Sequence, residues 1–171
     1  MISWLIIMAA LVVVDQVSKL MVVRLLKPVG SVDIIPGVFR FTYVENEGAA
    51  FGMLSEHRWV FMVISVIAIA ALLIYLWKFR PDSRFACMAI SMIAAGGVGN
   101  MIDRSYLGYV IDFIDFCAFP TLWMWVFNVA DACVCVGGAM LVLWLIMSTV
   151  SDYKKQKAAK SESTHNTDTA Q

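Results

Sequence analysis

Residues 2 to 26 read ISWLIIMAALVVVDQVSKLMVVRLL, an almost unbroken apolar run whose only charged residues are Asp15, Lys19 and Arg24. A helix of this length can cross the roughly 30 Å of hydrocarbon in a bilayer. Three further stretches have the same character, at 59–77, 85–101 and about 122–147. The sequence therefore predicts an all-α integral membrane protein with four transmembrane helices.

The overall composition agrees with a membrane protein. Of 171 residues, 61% are hydrophobic, and the mean hydropathy of +0.78 is far above that of soluble proteins. The 13 basic and 13 acidic residues cancel, and the only run of one sign is a group of lysines near the C-terminus. We therefore expect membrane lipid as a partner and no nucleic acid.

The distribution of Lys and Arg predicts the orientation in the membrane. Lys78, Arg80 and Arg84 crowd the link between the second and third stretches, and four lysines follow the fourth. Cytoplasmic segments are enriched in such residues, so both termini are expected in the cytoplasm. We divide the chain into a membrane domain over 1–151 and a basic, then polar, cytoplasmic tail over 152–171, which we expect to be disordered.

The first outer loop, about 27–58, is predicted to contain short strands. It holds two runs of β-forming residues on either side of a Pro36-Gly37 turn. Their members are Val32, Ile34, Val38, Phe39, Phe41, Tyr43 and Val44. We expect a small extracytoplasmic β element there.

Ionisable side chains interrupt the apolar stretches, and each such residue is a candidate functional residue. Asp15 and Lys19 are four residues apart, so they share a helical face and can neutralise each other. Asn100, Asp103 and Arg104 form a second polar stripe at helical spacing. Arg104 is either an anchor that reaches outward to water or a fixed cation aimed into a site.

A carboxyl group in the fourth stretch needs a partner. Asp131 lies inside the apolar run, three residues after Asn128 and with no basic residue nearby in sequence. The candidates are Arg104, Lys19 or a second carboxyl group. Glycines precede the polar stripe of the third stretch, at 96, 97 and 99, and allow a neighbouring helix to approach closely.

Two acids directly follow the third stretch, Asp112 and Asp115. The predicted topology places Asp112 and Asp131 at the same outer end of adjacent helices. One of the two acids after the third stretch could simply be a solvated loop acid, and Asp115 is the candidate for that role. Two carboxyls about 3 Å apart share a proton, so one can act as a base while the other acts as an acid. The same arrangement also occurs in proton relays and cation sites.

Metal and cofactor chemistry is not expected. The two histidines lie in a loop and in the tail, and the four cysteines show no CxxC spacing. We interpret the cysteines as small core residues. We therefore predict no metal site and no cofactor.

Five segments in order resemble lipoprotein signal peptidase (signal peptidase II). They are DQVSK (15–19), NEGAAF (46–51), GGVGNMIDR (96–104), VIDF (110–113) and FNVAD (127–131). The resemblance covers roughly residues 15 to 131. One departure is that the expected Pro shortly before Phe127 is absent, and the nearest one is Pro120.

The resemblance implies an aspartic endopeptidase that cuts diacylglyceryl-modified prolipoproteins just before the lipidated cysteine. It implies that Asp112 and Asp131 are the catalytic pair and that the site is a target of globomycin-type cyclic peptide inhibitors. It further implies a set of substrate-binding or supporting residues: Asn46, Gly48, Asn100, Arg104, Asn128, Asp15 and Lys19. The alternative is a small proton-coupled transporter or channel that uses the intramembrane carboxylates, and cleavage of a lipidated precursor without added cofactor separates the two.

Overall fold

The computed structural model describes residues 2–48, 58–79, 81–118 and 125–168. The helices are α1 (Ile2–Leu25), α2 (Arg58–Lys78), α3 (Arg84–Tyr106) and α4 (Val129–Asp168). The strands are β1 (Ser31–Ile35), β2 (Phe39–Asn46), β3 (Val110–Phe116) and β4 (Val126–Phe127).

Helix α3 lies at the centre of the helical part and packs against α1, α2 and α4. In α3, 50% of an apolar 18-residue stretch is buried inside the protein, whereas only 11% of the corresponding stretch is buried in α1 and in α4. The exposed faces of α1, α2 and α4 carry large apolar side chains, as expected for surfaces that meet lipid. α3 therefore holds its polar residues inside the protein.

Three helices, α1, α3 and the stretch of α4 over Val129–Lys157, are long and apolar enough to cross a membrane. In α2 the described apolar stretch, Met62–Lys78, is shorter. The prediction of a largely helical membrane protein is confirmed. The fourth span stays a prediction.

The strands form one antiparallel sheet in the order β1-β2-β3-β4. β1 and β2 are the hairpin predicted in the first outer loop, and Gly37 supplies the positive φ of 70° in its turn. The sheet is larger than predicted, because β3 and β4 come from the segment between α3 and α4. The fold is therefore not purely helical outside the first loop.

The acids after the third stretch lie on a strand. From the sequence, Asp112 and Asp115 were expected directly after a transmembrane helix, at its outer end, whereas both belong to β3. The reason is local, since Val, Ile and Phe around them favour an extended chain. Val110, Ile111 and Phe113 are buried.

Helix α4 differs from the fourth apolar stretch at both ends. It begins at Val129, because Val126–Phe127 pair with β3 and Asn128 accepts a hydrogen bond from the backbone N–H of Asp131. It continues to Asp168, although the segment from 152 onward was expected to be disordered. No Gly or Pro follows Gly138, so no residue interrupts the helix.

Three residues considered in the sequence lie outside the part of the chain that the structure describes: Phe51, His57 and Pro120.

Helices α3 and α4 touch through glycine. A Cβ atom added at Gly96 would collide with the carbonyl oxygen of Ala130 and the side chain of Val134. At Gly99 it would lie 2.5 Å from Oδ2 of Asp15 on α1. The predicted role of these glycines in close approach is therefore confirmed.

We expect Gly96→Ala to lower the free energy of unfolding by about 1–3 kcal/mol, because the added methyl group forces α3 and α4 apart. Gly138→Ala is the matched control, since nothing lies within 4 Å of the added Cβ. It should leave stability unchanged or slightly higher. Thermal unfolding of both purified variants in detergent is the measurement. Identical unfolding temperatures would contradict the close packing at Gly96.

Candidate active site

Asp112 on β3 and Asp131 on α4 line one cleft of about 450 Å³. Asp112 is 1% exposed, whereas Asp131 is partly exposed. The cleft is also lined by Asn46, Asn100 and Arg104. Both carboxyls therefore lie at one cleft, although a strand rather than a helix end carries Asp112.

Asn128 joins the two acids. Its side-chain Nδ2 donates to Asp112 Oδ1 at 2.6 Å, and its backbone N–H donates to Asp131 Oδ2 at 3.2 Å. Its own Oδ1 accepts from the backbone N–H of Asp131 at 2.9 Å. Because Asn128 is fully buried, these bonds hold both carboxyls in fixed positions.

Asn100 on α3 connects Asp131 to a buried cation. Its Nδ2 donates to Asp131 Oδ1 at 2.7 Å. Its Oδ1 accepts from Lys19 Nζ at 3.0 Å and from Asn128 Nδ2 at 3.1 Å. Of the partners suggested for Asp131 by the sequence, Lys19 thus acts through an amide rather than by direct contact.

The end of β2 supplies the other side of the site. Asn46 Nδ2 donates to Asp112 Oδ2 at 2.8 Å, and Asn46 Oδ1 accepts from the backbone N–H of Gly48 at 3.1 Å. The carbonyl oxygen of Gly48 accepts a long bond of 3.4 Å from Arg104. Arg104 therefore points along the cleft, as in the second interpretation of this residue.

A buried charge cluster lies behind the cleft. Lys19 Nζ is 2.9 Å from Asp15 Oδ2 and 2.9 Å from Asp103 Oδ2. Asp15 Oδ1 accepts from the backbone N–H of Ala130 at 2.9 Å, and Asp103 Oδ2 accepts from that of Ile111 at 3.1 Å. The predicted Asp15–Lys19 pair is confirmed, and it also positions the residues next to Asp131 and Asp112.

Two members of this cluster were missed as supporting residues. Asp103 was placed in a polar stripe without a role, and Gln16 was not singled out. Gln16 Nε2 donates to Asp15, to the carbonyl oxygen of Gly99 and to Asp103. The signals in the sequence were the spacing of Asp103 from Asn100, which places both on one helical face, and the position of Gln16 and Asp103 inside the quoted segments DQVSK and GGVGNMIDR.

Asp115 is not a solvated loop acid, so that interpretation was wrong. It is 8% exposed, and its Oδ2 accepts from Arg40 Nε at 2.6 Å and from Thr42 Oγ1 at 2.9 Å. The partners come from β2, the neighbouring strand, which the sequence did not pair with this segment. Three residues along a strand place it on the opposite face from Asp112.

The surroundings of Asp112 favour its protonated form. Burial raises the pKa of the Asp112 carboxyl to about 6, and the neighbouring Asp131 carboxyl adds to the increase. Hydrogen bonds from Asn46 and Asn128 and the charge of Lys19 oppose it. A carboxyl whose pKa is raised in this way keeps its proton at a higher pH than a free aspartate does, and in its protonated form it can serve as an acid in catalysis.

The fold and the cleft together define a largely helical membrane protein with a cleft that two carboxyl groups line. The sequence matches the family profile of signal peptidase (SPase) II over residues 7–147. The chain therefore belongs to the signal peptidase II family of proteases.

Relatives and solved structures agree with this assignment. The chain is 43% identical over 140 residues to the lipoprotein signal peptidase of Halothermothrix orenii, covering 82% of this chain and 92% of the relative. It is 39% identical over 143 residues to that of Clostridioides difficile, covering 84% and 94%. Two solved structures of a bacterial membrane enzyme superpose with TM-scores of 0.78 and 0.75 at 33% and 34% identity, covering 86% and 84% of this chain and 89% and 92% of theirs.

Titration of Asp112 should appear in the stability of the protein. Its folded pKa of about 6 exceeds the unfolded value of about 3.9, so the folded state holds the extra proton between them. Stability is then lost as pH rises through this window. In Asp112→Asn, residue 112 cannot titrate, so this variant does not share that loss. As pH rises from about 4 to about 6, its free energy of unfolding should therefore increase relative to that of the wild type by up to about 3 kcal/mol.

The measurement is thermal unfolding of both proteins across that pH range. Asp33→Asn, at an exposed position on β1, is the control and should follow wild type. Parallel profiles for wild type and Asp112→Asn would show that Asp112 titrates as it does in the unfolded chain.

Proposed function

We propose that this protein is a membrane aspartic endopeptidase that removes the signal peptide from diacylglyceryl-modified prolipoproteins, cutting just before the lipidated cysteine. The observation that carries the proposal is the carboxyl pair, Asp112 and Asp131, which Asn128 holds in one cleft. Membership of the signal peptidase II family supplies the reaction class, and the relatives' name supplies the lipoprotein substrate.

The chemistry requires carboxyls and water. One ionised aspartate accepts a proton from a water molecule, which attacks the scissile carbonyl carbon, while the protonated aspartate donates to the carbonyl oxygen. Proton transfer to the leaving nitrogen then completes cleavage. Among the described residues, no group of three His, Cys, Asp or Glu side chains is placed to hold a metal ion. The proposed steps are written with the two carboxyls and water alone.

The polar groups around the pair are suited to hold an extended peptide. Arg104 and the carbonyl of Gly48 lie at one side, and the amides of Asn46, Asn100 and Asn128 surround the carboxyls. Apolar residues form much of the rest of the wall: Val110, Val126, Phe127 and Val134. A lipid-modified cysteine can then keep its acyl chains in the membrane while its peptide bond reaches the acids. Globomycin-type cyclic peptides would occupy the same cleft.

The buried charges argue against the transporter alternative. Asp15 and Lys19 pair with each other and with Asp103 and do not line the described cleft. They lie behind the cleft, where the amide of Asn100 joins Lys19 to Asp131. Ion pairs fixed in this way are suited to positioning the two acids, whereas a relay needs groups that open to the cleft and exchange protons.

We further propose that α2 also crosses the membrane, which brings the number of spans to four, and that the cleft faces the outer surface of the bacterial inner membrane. The helix has 21 residues, or about 31 Å at 1.5 Å per residue, which suffices to cross the hydrocarbon. Lys78 and Arg84 flank the α2–α3 link and, with the lysines after Asp152, favour cytoplasmic termini.

A topology reporter tests this orientation. A fusion at Gln171 should be active in the cytoplasm, because four spans return the C-terminus to the side of the N-terminus. A second fusion after Tyr106, in the outward segment, should give the opposite result. A reporter at Gln171 that is active only outside the cytoplasm would overturn both the orientation and the outer placement of the cleft.

Asp112→Asn and Asp131→Asn should each lower the cleavage rate by about a thousandfold or more, because Asn can neither accept the proton of water nor donate from a carboxyl group. Both variants should remain folded and should still bind a globomycin-type inhibitor. The assay is cleavage of a purified lipidated precursor peptide in detergent, without added cofactor. The double variant should be scarcely worse than either single one, since the two act as a unit.

Asp115→Asn is the matched control. Asp115 lies on the same strand, but its carboxyl bonds to Arg40 and Thr42 on the other face of the sheet. It should therefore retain substantial cleavage. An essential Asp115 together with a dispensable Asp112 would refute the assignment of the pair.

A further inference from the structure

The two acids sit in different electrostatic surroundings. Asp131 lies in the first turn of α4, where its carboxyl accepts from the backbone N–H of Asn128 while the Asn128 side chain accepts from the backbone N–H of Asp131. This is a reciprocal capping arrangement. A helix N-terminus carries a partial positive charge, so the position favours a carboxylate.

A buried ammonium group adds to the same preference. Lys19 donates to the oxygen of Asn100, and the amide nitrogen of Asn100 donates to Asp131 at 2.7 Å. An amide whose oxygen binds a cation becomes a stronger donor at its nitrogen. Because the Lys19 side chain is only 2% exposed, water and salt screen its charge little.

Asp112 lies at no helix end, and although the charge of Lys19 also acts on it, no amide bound to Lys19 through its oxygen donates to the Asp112 carboxyl. It lies within strand β3 and is 1% exposed. Its two donors are the neutral amides of Asn46 and Asn128. The two carboxyls therefore differ in how readily they ionise, and the shared proton is favoured on Asp112.

We infer that Asp131 is the resting carboxylate and Asp112 the protonated partner, and that Lys19 is a positioning residue that sets this division through Asn100. The inference rests on the proposed peptidase function and deepens it. Other charges face Asp131 from three elements, and they are Asp112 on β3, Arg104 and Asp103 on α3, and Lys19 and Asp15 on α1. Arg104 favours the carboxylate as Lys19 does.

The roles give a balanced reaction. Asp131 takes a proton from water as the water oxygen bonds to the scissile carbon, and Asp112 gives its proton to the carbonyl oxygen, forming a neutral diol. Asp131 then passes its proton to the leaving nitrogen, while Asp112 recovers one from a diol hydroxyl as the C–N bond breaks. The products are a carboxylic acid and an amine, and both aspartates return to their starting states.

The variant Lys19→Met with Asp103→Asn tests the role of the ammonium. Asp15, Lys19 and Asp103 together carry one net negative charge, and the double substitution keeps that value because Asp15 remains. Without the ammonium at Asn100, Asp131 holds its proton to higher pH. The acidic limb of the kcat/KM profile for a lipidated precursor peptide should therefore move up by roughly half a unit to one unit.

Asp103→Asn alone is the control. It removes a negative charge and keeps Lys19, so its acidic limb should stay in place or move to lower pH. Lys19→Arg keeps a cation at this position, so its acidic limb should lie at the same pH as in the wild type. A merely structural role of Lys19 predicts lower yield or stability with no movement of the limb. An unmoved limb in an active double variant would overturn the role of Lys19 and leave the peptidase function intact, whereas cleavage by Asp112→Asn would overturn the function itself.

Infrared difference spectroscopy provides a readout that depends on neither activity nor the Lys19 variants. On the acid side of the Asp112 pKa of about 6, the carboxylic acid C=O band should disappear in Asp112→Asn. A band that survives in Asp112→Asn and disappears in Asp131→Asn would reverse the assignment.

Discussion

Lys19 carries a positive charge at a point that water scarcely reaches, and four elements of the fold depend on the groups around it. Its ammonium binds Asp15 of α1 and Asp103 of α3. Through their second contacts, these carboxylates reach the start of α4 at Ala130 and the start of β3 at Ile111. Burying three charges is costly, and the cost is recovered only because each has hydrogen-bonding partners. The cluster therefore fixes the relative positions of the two elements that carry the acids.

The sheet supplies the remaining constraint, which is register. Neighbouring residues on a strand face opposite sides, so a slip of one residue would turn Asp112 away from the cleft. Arg40 pairs with Asp115 across β2 and β3, and the ion pair at 2.6 Å joins these register partners on the far face. Further along, a bulge in β2 brings Val44 opposite Asp112 and Asn46 opposite Val110. Interactions outside the cleft thus decide which acid enters it.

Much of this arrangement could be predicted from the sequence, because helical spacing is a local property. A spacing of four residues predicted the pairing of Asp15 with Lys19. A spacing of three predicted that Asn100 and Asp103 share a helical face. The strand under Asp112 did not, since a short VIDFID segment gains its partners from β2, far away in the chain. The same long-range pairing concealed the ion pair of Asp115. The roles of Asp103 and Gln16 depend on three elements meeting at one point, which spacing alone does not reveal.

The turn that starts α4 has a consequence for how the chain can vary in length. Asn128 and Asp131 fix the first residue of the helix and also contact the groups of the cleft. One inserted or deleted residue between them would rotate everything beyond it by about 100° around the helix axis. Asp131 would then point into the lipid or into α3. A change of length within residues 128–131 would therefore dismantle the cleft, whereas exposed surface segments accept such changes far more readily.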